Sequence, residues 1–124
     1  MTDLEVVSTP PSGREDRLAR AIAGLAEPPP SAEEAKRRPS PPGLAENLVF
    51  EFDEAYTAFV EGFETLPSEE QLLALQAVDT HVSAMVRAKD ADLWTERARR
   101  EDDSWIEVRA RAAHVLRVFA WAGS

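Results

Sequence analysis

Eight of the nine prolines in this 124-residue chain lie at or before Pro42, and the ninth is Pro67. Proline fixes φ and has no amide donor, so it is kept out of the interiors of helices and sheets. Its distribution divides the chain in two. Residues 1–43 read as a Pro-rich N-terminal arm, and residues 44–124 as a domain free to form long elements. At this length, with 44 % apolar residues, one hydrophobic core is expected rather than two.

Short helices are expected between the proline clusters of the arm. Ser12-Gly-Arg-Glu15 has the form of a capping box, with Leu18, Ile22 and Leu25 at helical spacing behind it. This predicts a short amphipathic helix over about 13–26 whose apolar face can dock on the domain. Ser31-Ala-Glu-Glu34 is a second box, but the chain reaches Arg38-Pro39 within a few residues, too soon for a helix of independent stability.

From Leu44 the apolar residues recur every three or four positions: Leu44, Leu48, Phe52, Tyr56, Phe59, Phe63 and Leu66, widened by Val49 and Val60. This predicts a long helix over 44–66. Pro67 interrupts it, and Ser68-Glu-Glu-Gln71 opens the next helix after a tight antiparallel turn. That helix carries Leu72, Leu75, Val78, Val82, Met85 and Val86, and breaks near Asp90 before a short "DLWTERARR" helix. Ser104-Trp-Ile-Glu107 reads as a further box, followed by Trp105, Val108, Ala112, Val115, Leu116 and Phe119 on one face and a stop at Gly123. Strict alternation and hairpin dipeptides are missing from the sequence, so the expected class is all-α. The expected architecture is a small antiparallel helical bundle of three main helices plus a short fourth.

Charge is distributed as unevenly as proline. The net charge is −9, and residues 44–82 hold nine acids and neither Lys nor Arg, so that block accounts for the whole imbalance. Such a chain is poorly suited to phosphate backbones, and nucleic acid is not expected as a partner. No apolar run nears the ~20 residues of a membrane span, the N-terminus has no basic-then-apolar leader, and cysteine is absent, which together predict a cytoplasmic protein with no membrane partner.

Few residues carry recognisable chemistry. The glycines form neither a dinucleotide fingerprint nor a P-loop, there is no nucleophile elbow, and no cofactor is expected. Glu51 with Glu54, or Glu61 with Glu64, could share a face as dimetal carboxylates do. Such sites also use Glu-x-x-His, whereas His81 and His114 follow Val78 and Arg111 by three. The acids are therefore read as a solvated face, with no metal. Asp79 falls beside the stripe of its helix and is expected partly buried, bonded to Trp94, Trp105 or Arg109. His81 reads as a packed or surface residue. In the arm, Lys36-Arg-Arg-Pro39-Ser-Pro-Pro42 matches both a basic PxxP ligand and an Arg-Arg-x-Ser phosphorylation site.

The segment "RARAAH", Arg109 to His114, resembles the R-x4-6-H signature of HEPN-domain ribonucleases. That resemblance implies RNA cleavage in a cleft shared by two subunits, with Arg109 and His114 at its centre. Ala110 stands where that family has a polar residue. On one straight helix the two side chains would point about 140° apart.

The sequence thus favours a non-enzymatic helical binding protein, such as an accessory subunit, adaptor or immunity-type inhibitor. Glu51, Glu54, Glu61 and Glu64 would face a basic surface of another protein. Ile106, Val118 and Trp121, which lie off the main stripe of the last helix, would supply an apolar contact. The alternatives are the HEPN-like ribonuclease and a structural homodimer using the Trp121 face.

Overall fold

The computed structural model describes residues 13–62 and 66–121. Its helices are α1 (Gly13–Ala26), α2 (Ala32–Arg37), α3 (Leu44–Glu61), α4 (Glu69–Arg87), α5 (Glu96–Glu101) and α6 (Asp103–Phe119), with a 3₁₀ turn at Ala91–Trp94 before α5. The class is all-α.

The periodicity of each long helix accounts for its packing. Leu18, Ile22 and Leu25 of α1 are buried against α3 on one side and α6 on the other, and α6 in turn carries α4. Phe52, Ala55 and Phe59 of α3, Leu75 and Val78 of α4, and Trp105, Val108, Ala112 and Val115 of α6 complete one continuous core. Burial of each large aliphatic side chain stabilises the fold by about 1.5–3 kcal/mol, so α1 contributes as a structural wall of the bundle. Ser12, expected to cap α1, lies outside the described residues.

Element ends follow local chemistry. Ser31 and Ser68 form reciprocal capping boxes with Glu34 and Gln71, as their sequences predict. Three expectations are corrected. Helix α3 ends at Glu61 with Gly62 as its cap, so Leu66 is not part of its stripe; next to Pro67, which disfavours helical backbone in the residue before it, Leu66 is 74 % exposed. Helix α6 is capped by Asp102, whose side chain accepts from the Ser104 amide at 2.8 Å, and not by Ser104; Glu107, the supposed box partner, pairs instead with Arg111 at 2.7 Å. Helix α6 also stops before Gly123, at Phe119, where Ala120 takes the left-handed conformation at φ 56° and the Trp121 amide donates to the Leu116 carbonyl.

The break after α4 is observed. Lys89, at φ 52°, ends the helix, and Asp90 then caps the 3₁₀ turn by accepting from the Asp92 amide. This turn is fixed from α6: the Trp105 indole donates to the Leu93 carbonyl at 2.7 Å, and Trp94 meets Trp105 edge to face. Trp94 is thereby held beside α3 and α4, where the candidate site lies.

Candidate functional site

Helices α3 and α4 follow one another in the chain but are not among the closely packed helix pairs. A groove of about 570 Å³ runs between them, with Val49 and Phe50 on one wall, Val82 and Val86 on the other, and Trp94 beside them. Phe50 is 57 % exposed and Val86 52 %, so both present apolar surface to solvent. The sequence placed Val86 in the core stripe. The structure corrects this: Val82 and Met85 turn inward, and Val86, about 100° further round, faces the groove.

Glu46 and Asp53 line the groove from α3, and Arg87 from α4. Asp79, one turn before Val82 on α4, senses Asp53. Burial raises the Asp79 carboxyl above its usual pKa, and the Asp53 charge raises it further. Tyr56 is affected in the same way, its hydroxyl raised first by burial and then by the Asp79 charge. The expected bond from Asp79 to Trp94, Trp105 or Arg109 is not formed, and the Trp105 and Arg109 donors are committed elsewhere. The Trp105 indole goes to Leu93, Trp94 packs on Trp105, and the Arg109 Nη1 donates to the Arg99 carbonyl at 2.7 Å. The α3–α4 face thus gathers carboxylates with no cation supplied from α6.

The residues expected to meet a partner are dispersed. Glu51 and Glu54 both face Arg17 of α1, at 3.8 and 3.5 Å, and help join α1 to α3. Glu61 is exposed at the end of α3, and Glu64 lies outside the described residues. Ile106 is 48 % exposed near the start of α6, whereas Val118 lies about 18 Å further along that helix and packs against the core. Trp121 is taken up within the chain. It stacks on Phe119 with ring centroids 4.1 Å apart, and its Nε1 donates to Glu15 Oε2 at 3.2 Å. These three residues do not form one apolar face.

Arg109 and His114 diverge as helical geometry requires. Arg109 turns to α5, while His114 is exposed beside Leu73 and Ala77 of α4. His81 is packed, its Nε2–H donating to the Ser104 carbonyl at 2.9 Å. Among the described residues no three His, Asp or Glu side chains are grouped closely enough to hold a metal ion, and no helix is long and apolar enough to cross a membrane. No family model, curated protein or solved structure matches the chain.

Sequence reasoning missed the groove because it placed Val86 in the core stripe and gave Phe50 no role. The available signal was Phe50, which follows Val49 outside the three-and-four spacing.

Proposed function

We propose that the protein is a non-enzymatic binding module whose α3–α4 groove receives a basic amphipathic helix of a partner protein. The observation that carries this reading is the coincidence of exposed Phe50 and Val86 across one groove with the block 44–82, which holds nine acids and neither Lys nor Arg. An amphipathic helix docks by setting its apolar stripe in such a groove. Lysines or arginines flanking that stripe would meet Glu46 and Asp53 and relieve the repulsion between Asp53 and Asp79. Charge of this kind steers encounter and selects partners more than it adds affinity.

This refines the expectation from sequence. Glu51 and Glu54 already face a cation of their own chain, so the acids offered to a partner are those on the groove side of α3.

A fluorescent amphipathic peptide of leucine and lysine, followed by anisotropy at increasing salt, tests the reading. Phe50→Asp adds negative charge while removing apolar surface. Groove docking requires it to weaken binding, whereas nonspecific attraction to an acidic protein requires it to leave binding unchanged or tighten it. Glu51→Gln is expected to leave the affinity unaltered. Binding that survives Phe50→Asp and Val86→Asp would reject the groove.

A further inference from the structure

On the other side of Trp94 lies a cavity of about 340 Å³, walled by residues 39–45 and by Glu96 and Arg99 of α5. Arg99 is only 6 % exposed. Its Nε and Nη1, and the Nη1 of Arg100, are buried and meet no hydrogen-bond acceptor among the described residues, and the buried Oε2 of Glu96 meets no donor. Glu96 lies 3.7 Å from Arg99 Nη1 and 4.0 Å from Arg100 Nη1, too far for hydrogen bonds. Arg109 adds a third guanidinium, donating to the Arg99 carbonyl. Its pKa is lowered by burial and then by the Arg99 charge. Two cations therefore share one carboxylate, a third lies behind Arg99, and a buried charge without hydrogen bonds is costly.

The same cavity is faced by the N-terminus of α3. This 18-residue helix has Gly43, at φ 76°, in its N-cap position and no side-chain cap. The Leu44 amide is taken by the Pro41 carbonyl at 3.3 Å and the first turn carries Glu46, while the Ala45 and Glu46 amides and the positive end of the dipole favour an anion there. Two independent features, the buried Arg99 Nε and Nη1 without hydrogen-bond acceptors and a long helix without a side-chain cap, thus converge on one cavity.

We infer that this cavity binds a phosphate group in its singly protonated form, as hydrogen phosphate or a phosphomonoester. Its bare oxygens accept from Arg99 Nε and Nη1 and from the first turn of α3. Its P–OH donates to Glu96 Oε2. One ligand then satisfies the orphans of Arg99 and Glu96 together, including the carboxylate that would repel a fully ionised anion. Sulfate has the same shape and no proton to give, so the site discriminates between the two. The phosphate has two possible sources. It can arrive from solution, or it can be carried on Ser40, which lines the cavity and completes the Arg37-Arg38-Pro39-Ser40 motif. In the second case a protein kinase joins Ser40 Oγ to the γ-phosphorus of a nucleoside triphosphate, the bond to the β-phosphate oxygen breaks, the nucleoside diphosphate leaves, and the hydroxyl proton passes to the kinase.

Calorimetric titration of the full chain with potassium phosphate and potassium sulfate, at matched ionic strength, tests this. Phosphate is expected to bind at one site, with sulfate weaker by about tenfold. Arg99→Gln abolishes phosphate binding, and Glu96→Gln removes the preference. A chain carrying phosphoserine at position 40 separates the sources. If the tethered group fills the cavity, free phosphate no longer binds and the ³¹P resonance moves on Arg99→Gln. If free phosphate still binds, solution is the source. Equal uptake of both anions, or phosphate uptake untouched by Arg99→Gln, overturns the proposal. So does absence of free-phosphate binding together with a phosphoserine resonance indifferent to Arg99→Gln. Circular dichroism confirms that each variant is folded, and Glu96→Gln retains its force if Arg99→Gln is not. None of these readouts involves the α3–α4 groove.

Discussion

The Trp121 indole donates to the Glu15 carboxylate at 3.2 Å, across 106 positions of sequence, joining the second residue beyond α6 to the first turn of α1. Trp121→Phe keeps the stacking on Phe119 and loses this bond, and is expected to lower stability by about 0.5–1.5 kcal/mol. Trp121→Ala loses both, at a further cost of about 1 kcal/mol. Urea denaturation orders the three proteins; identical midpoints would remove any structural role from Trp121.

Ile22 is fully buried in the face that α1 turns to α3 and α6. Ile22→Ala is expected to cost about 2–5 kcal/mol, the range for a core cavity, in a single cooperative transition. A loss below about 0.5 kcal/mol, typical of surface substitutions, would mean that α1 can detach without unfolding the rest.

Asp79 gives the protein a pH dependence of defined sign. Its folded pKa is raised above the ordinary 3.8 by burial and by Asp53, so the folded state holds this proton more tightly than the unfolded state. Stability from this group is therefore greatest below about pH 3.8 and falls as pH rises through the folded value. Asp79→Asn is expected to be more stable than the parent at pH 7, with the advantage vanishing in acid. Parallel urea titrations at both pH values check this, and a variant less stable at pH 7 would refute it.

The cap of α6 can be assigned by substitution. Asp102→Ala removes the acceptor of the Ser104 amide and is expected to cost about 0.5–2 kcal/mol, whereas Ser104→Ala leaves the helix start intact. Thermal midpoints of the two variants distinguish these positions, and the reverse order would restore Ser104 as the cap.

Periodicity identified the helix class, the inward faces of α1 and α6, that of α4 apart from Leu72 and Val86, and the break after α4. It did so because burial of one stripe is a local property of a helix. The α3–α4 groove was not legible. Phe50 and Val86 differ from core residues only in which neighbour their helix meets, and that is decided by the packing of α1 and α4 on α6. The pairing of Glu51 and Glu54 with Arg17 was hidden for the same reason, since nothing local links position 17 to position 54. The Arg99 cluster was similarly obscured. In "ERARRE" every charge has an opposite charge three or four residues away, which reads as a solvated helix until the 39–45 segment is seen to close over it.

The position of α1 also has a consequence for synthesis. Its apolar stripe can be covered by α3 soon after it is made, but its second wall is α6, which is made after every other described helix. Until α6 emerges, the nascent chain displays Leu18, Ile22 and Leu25 with one side bare, a surface on which holding chaperones act. Completion of the fold waits on a contact between the two ends of the bundle, which makes its rate sensitive to topology although every element is a locally encoded helix.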